Sequence, residues 1–234
     1  SYEAFNMATA KDVNNIIVNN DVLMVYSGDH QNMIKYTIVT DALSNKINNG
    51  KLRFGNGTEE SINAKGGLQQ PFYYNNNWYQ LTYSSFPLNY ALGIDGTNND
   101  SWNSSGSISI DALLSELVKD YSELSHGAGI AQAVGTVSFD GKAFEITNKY
   151  TLNESASFIK IKTTVKNISG ANVSNIRYWT GTTDDFIAGV DSPSKIKGNL
   201  IDGNFVENTA DNQQAKALTI SSGSATVLFF STQP

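Results

Sequence analysis

Between residues 158 and 167 the chain reads FIKIKTTVKN, and Ile159, Ile161, Thr163 and Val165 alternate with Lys160, Lys162, Thr164 and Lys166. Strict period-two alternation puts one set on a buried face and the other in water, which predicts a half-exposed antiparallel strand. A Ser-Gly-Ala-Asn turn follows, then a second β-rich run over 173–180 with bulky residues on both faces. Such a run fits a strand covered on both sides or carrying a binding surface. Further short strands are predicted over 13–18, 22–26, 33–40 and 51–54, the last after the turn Asn48-Asn49-Gly50. Residues 134–139 and 143–148 flank the hairpin turn Asp140-Gly141, and residues 217–221 and 225–231 flank Ser222-Gly223-Ser224.

One segment has a different period. In ISIDALLSELVKDYSELS, residues 108–125, Leu113, Leu114, Leu117, Val118, Tyr121 and Leu124 fall at helical spacing, with Asp111 placed as an N-cap and Gly127 just past the end. This predicts a single amphipathic helix near 110–125 that lays its leucine face on the sheets. The small-residue stretch HGAGIAQAVG, ending at Gly135, reads equally as a linker or as an ordered loop crossing between sheets. No repeat of fixed period appears, so propellers and solenoids are not expected. Many short strands separated by turn residues indicate a β-dominated antiparallel sandwich or supersandwich. One domain over 1–234 is expected, because the strands before the small-residue stretch are too few to close a core of their own.

Composition changes the picture in two ways. With 234 residues and 40% hydrophobic content, the chain can bury a core without disulfides or a structural metal. The absence of cysteine removes thiol nucleophiles and thiolate metal sites together. Charged residues make up 16% of the chain, below the ~25% of ordinary soluble domains, and asparagine, serine, threonine and glycine take their place. A net charge of −6 with scattered basic residues argues against a nucleic-acid partner, and no apolar run reaches the ~18 residues of a membrane span. An uncharged polar surface, no cysteine and a first residue that is not methionine together suggest a module cut from a longer exported protein, working outside the cell or at its surface beside neighbouring domains.

Three kinds of candidate chemistry stand out. Phe72, Tyr73, Tyr74, Trp78, Tyr79, Tyr83, Phe86, Tyr90 and Trp102 are interleaved with Gln70, Asn75, Asn76, Asn77 and Gln80. Flat apolar faces beside amides suit a sugar ring, whose C–H face stacks while its hydroxyls need polar partners. Trp78, Tyr79 and Trp102 are the aromatic contacts this predicts; alternate residues of a strand such as WYQLTY must instead be core. Acidic loops come second. Asp95 and Asp100 in DGTNNDSWNSSG, and Asp191 after Asp184 and Asp185, offer oxygen ligands of the kind calcium prefers, without EF-hand spacing. The same residues also serve Asx turns. Trp179 on the strand feeding the Asp184-Asp185 loop would set an aromatic platform beside carboxylate acceptors. Catalysis is third. His30 and His126 are the only histidines, and no Ser-His-Asp, HExxH or phosphate-loop pattern surrounds them. Glu145 with Asp184 or Asp185 is the one acid/base pairing that suggests itself, and an enzyme is not the expected class.

The runs NIRYW (175–179), GTTDDFIAG (181–189), SPSKIKGNL (192–200) and VLFFST (227–232) resemble modules of large exported bacterial surface proteins, including adhesins. That resemblance implies a ligand-binding module recognising a glycan or short peptide. The strand FIKIKTTVKN also resembles the long strands of the mutarotase-like supersandwich, which implies the alternative: a carbohydrate-active enzyme using a carboxylate/histidine acid–base pair. No matching motif surrounds His30 or His126.

Overall fold

The computed structural model describes residues 2–6, 9–10, 21–29, 31–37, 44–94, 114–139, 141–182, 184–210 and 214–232. Among them every regular element is a strand, and the paired strands all run antiparallel. Contacts divide the chain into two compact units, Ser1–Ser44 and Asn45–Pro234.

The first unit holds β1 (Tyr2–Asn6), β2 (Thr9–Ala10), β3 (Asp21–Tyr26) and β4 (Met33–Thr37), in the sheet order β2-β1-β3-β4. The β3–β4 turn is closed by Asn32, whose N–H donates to Ser27 Oγ at 3.0 Å while its carbonyl accepts from Ser27 N at 2.9 Å. The strand expected over 13–18 lies outside the described residues, as do residues 38–40.

In the second unit, a four-stranded sheet of order β12-β11-β10-β9 dominates. It consists of β9 (Ser115–Ser125), β10 (Ala128–Phe139), β11 (Lys142–Leu152) and β12 (Lys160–Asn167). Its inner face is a set of size-matched pairs. Ala131 stands opposite Tyr150, Ala133 opposite Asn148, Gly135 opposite Ile146 and Val137 opposite Phe144. Small residues on one strand make room for large ones on the next, so Phe144, Ile146, Tyr150 and Leu152 are all buried. The small-residue stretch read as a linker or crossing loop is therefore the start of β10. β12 alternates as predicted, with Ile161, Thr163 and Val165 half-buried and its lysines exposed.

The helix expected near 110–125 is absent among the described residues; residues 115–125 form β9, and residues 110–113 lie outside them. Two β-bulges explain how a strand imitated a helix. The β9–β10 register shifts where Glu116 and Leu117 face Gly135, and again where Tyr121 and Ser122 face Ala131. Each extra residue reverses the inside–outside parity of the strand. Leu114 and Leu117 straddle one shift and Tyr121 and Leu124 the other, so 3-4-3 spacing keeps all four on the core side. Glu116 takes the left-handed φ of 53° that the first bulge requires. Val118, which a helix would bury beside Leu117, is 64% exposed.

Two core clusters lie along this sheet. One gathers Ile47, Phe54, Ile62, Leu68 and Leu88 against Leu124, Ala131, Tyr150 and Leu152; the other gathers Leu92, Ile94 and Leu114 against Phe144 and Ile146. The residues facing the sheet come from β5 (Leu52–Phe54), from the flanking segments 47–51 and 55–70, and from β8 (Asn89–Gly93) with its neighbours Leu88 and Ile94. β5 is joined in one sheet to β6 (Pro71–Asn75) and β7 (Asn77–Gln80). β8 pairs with β13 (Arg177–Gly181). The second strand of the predicted pair is shorter than 173–180, because Asn175 adopts a left-handed φ of 47° that ends extended structure. The chain continues through β14 (Phe186–Ile187) and β15 (Val190–Asp191). A last sheet of order β17-β16-β18-β19 comprises β16 (Ser194–Ile201), β17 (Asn204–Glu207), β18 (Ala217–Ser222) and β19 (Ala225–Phe230).

Candidate functional site

The β6–β7 hairpin concentrates the aromatic run. Its strands pair Phe72 with Gln80, Tyr73 with Tyr79, Tyr74 with Trp78 and Asn75 with Asn77 around a single residue, Asn76, at a φ of 58°. Asparagine tolerates that left-handed conformation, so the turn can be this tight. Period-two alternation then sorts the rings. Tyr74 and Trp78 share one face, with centroids 5.3 Å apart and rings edge to face. Tyr73 and Tyr79 share the other, stacked at 5.5 Å. Tyr74 is 51% exposed and Tyr79 41%. At the tip the side-chain amides of Asn75, Asn76 and Asn77 stand in water with no partner among the described residues.

Arg53 completes the Tyr74 face. It sits on β5 directly across from Phe72, and its guanidinium carbon lies 4.7 Å from the centre of the Phe72 ring and 4.4 Å from that of Trp78. Desolvation there lowers its pKa from the usual arginine value. Sequence reasoning missed this residue, since only the strand register brings it to the rings.

Phe186 ties the acidic loop to the end of the aromatic run. Its N–H donates to the Leu81 carbonyl at 3.4 Å and its ring packs on Tyr83 at 5.4 Å. The two aspartates that precede it do not present free carboxylates side by side. The loop at Asp184 is closed by Thr182, whose hydroxyl donates to the Asp184 carbonyl at 2.7 Å and accepts from its N–H at 3.2 Å. Asp185 is buried, and its Oδ2 lies 3.0 Å from Lys195 Nζ on β16, an ion pair out of line for a hydrogen bond. That carboxylate pins the loop to the neighbouring sheet, where a ligand acceptor was expected. Asp191 is exposed on β15, across from Phe186. Trp179, on β13 opposite Ala91, covers Gly181, where an added Cβ would stand 3.1 Å from the ring. Trp102, Asp95 and Asp100 lie outside the described residues. Among those described, no three histidine, aspartate or glutamate side chains gather as a metal site.

The acid/base candidates also separate. Glu145 faces Lys166 across β11–β12 at 3.8 Å, and exposed His126 has its Nδ1 3.1 Å from its neighbour Ser125 Oγ. His30 lies outside the described residues. A further polar chain runs from the surface into the core. Tyr178 O–H donates to Thr163 Oγ1 at 2.8 Å, Thr163 donates to Asn148 Oδ1 at 2.7 Å, and Asn148 Nδ2 and Tyr150 O–H both donate to the Gly66 carbonyl, at 3.0 and 2.6 Å. Every group in this chain is satisfied, and its effect is to hold the 63–67 loop on the sheet. Burial raises the pKa of Tyr90, Tyr150 and Tyr178, and that of Tyr121 to about 12.

Comparison of the chain with protein-family models, with characterised proteins and with solved structures finds no match.

Proposed function

We propose that this chain is a glycan-binding module of an exported bacterial surface protein, and that the β6–β7 hairpin is its ligand surface. One observation carries the reading: two half-exposed tyrosines on opposite faces of a hairpin, each backed by a second ring, flank a tip of three amides without a partner among the described residues. Buried aromatic pairs explain themselves as core. Exposed ones beside idle amides do not, and they match a pyranose ring's apolar face and hydroxyl rim. The backing rings limit how far Tyr74 and Tyr79 can move, so little ordering entropy opposes binding. Supporting the extracellular setting are the low charge and the absence of cysteine. The two core clusters, which gather residues from several elements along one face of the β9–β12 sheet, support a sandwich arrangement within Asn45–Pro234.

An array of glycans and short peptides probed with the full chain tests this. Binding to a glycan subset, lost in Tyr74→Ala at unchanged melting temperature, is the expected result. Binding confined to peptides, or silence on the array, would refute it.

A further inference from the structure

We infer that the ligand held at this hairpin carries a carboxylate, as an acidic sugar does, and that Arg53 is the residue that selects it. The inference rests on the hairpin reading above. Among the described residues Arg53 has no carboxylate within ion-pair distance and no side-chain hydrogen bond. Its side chain is held by the Phe72 and Trp78 rings alone, and its Nε–H is buried without an acceptor.

That is an unusual state for a cation. A half-buried guanidinium ordinarily recovers its lost hydration from a carboxylate, and none of the described residues supplies one. The guanidinium carbon lies over both rings and Nε–H is buried, so the terminal Nη groups are the ones left to receive a carboxylate, which they can do through two parallel hydrogen bonds. Gly57 lies beside this end of the side chain, where a Cβ would stand 3.7 Å from Arg53 Nη1, in ordinary contact. Tyr74, on the same face and half-exposed, would stack the sugar ring whose acid group Arg53 receives. In a chain of net charge −6, an arginine without an ion-pair partner among the described residues, standing at the candidate surface, is better explained by an anionic ligand than by general attraction.

Titration calorimetry on the full chain tests the inference with four sugars: an oligogalacturonate and its methyl ester, sialyllactose and lactose. At least one acid should bind about tenfold or more tightly than its uncharged counterpart, and the gap should close in Arg53→Gln and narrow in Arg53→Lys. Which acid prefers the site separates a uronic from a sialic ligand. Equal binding of charged and uncharged forms overturns the inference, as does a gap that persists in Arg53→Gln. If that variant fails to fold, the acid-against-ester comparison on the unaltered chain still decides. Equal binding that disappears in Tyr74→Ala removes the acid selectivity and leaves the hairpin reading standing; no binding of any of the four sugars by the unaltered chain removes the acid proposal, while the hairpin reading is then judged by the array.

Discussion

At the scale of single residues, asparagine and tyrosine do what charged groups do in other folds. Asn49 accepts at Oδ1 from the Lys51 and Leu52 N–H groups and donates at Nδ2 to the carbonyls of Asn153 and Ala156, at 2.7–3.0 Å. Asn63 and Asn167 close their own turns in the same way. The abundance of asparagine, which reads in the sequence as an inert polar surface, is thus partly backbone satisfaction in turns. The tyrosines give a pH dependence with a definite sign. A phenol whose folded pKa is raised keeps its proton while the unfolded chain loses it, so stability is intact below the ordinary value of 10 and falls as pH climbs past it, through about 12 for Tyr121 and beyond. Thermal melts from about pH 8 to pH 11 should show this decline, and Tyr121→Phe should make it shallower. An unchanged slope would mean that Tyr121 titrates freely. Asp185→Asn tests a buried carboxylate. Because Lys195 is 46% exposed and water screens the pair, the substitution should cost only about 1 kcal/mol by chemical denaturation and leave glycan binding unaltered.

At the scale of elements, what could be read along the chain depended on whether the cause was local. The alternation of β12 follows from one buried face, and the turns at Gly50 and Gly141 from their left-handed φ of 81° and 71°, so those elements were legible. β9 was not, because two bulges convert a strand's parity into helical spacing, and their cause lies across the hairpin at Gly135 and Ala131. β10 was obscured likewise: its small residues make sense only against Tyr150, Asn148 and Ile146 of β11. The candidate site divides on the same line. Trp78 and Tyr79 could be named from composition, whereas Arg53 reaches them only through the β5–β6–β7 register. A pair of substitutions separates strand from helix. In a helix Leu117 and Val118 would both be buried. In the bulged strand Leu117→Asp should cost at least ~2 kcal/mol and Val118→Asp less than about 0.5 kcal/mol, measured as denaturation midpoints.

At the scale of the whole molecule, the well-packed body and the proposed ligand surface are distinct. The β9–β12 sheet and its two core clusters supply stability, and truncating Phe144 or Ile146 to alanine belongs to the class of change that costs about 2–5 kcal/mol. The β6–β7 hairpin is anchored to this body through β5, whose Phe54 is core and whose Leu52 packs against it. Its tip stands in solvent, as surface connections carried on a packed scaffold usually do. Among the described residues no helix is long and apolar enough to cross a membrane. The central claim is that ligand binds at this hairpin, and amide hydrogen exchange of the full chain, with and without a pooled oligosaccharide library at millimolar concentration, tests it most directly. The account predicts slowed exchange concentrated in residues 71–80 and at Arg53, with the β9–β12 sheet unchanged. Protection centred on the Asp184-Asp185 loop, or no protection anywhere, would contradict it.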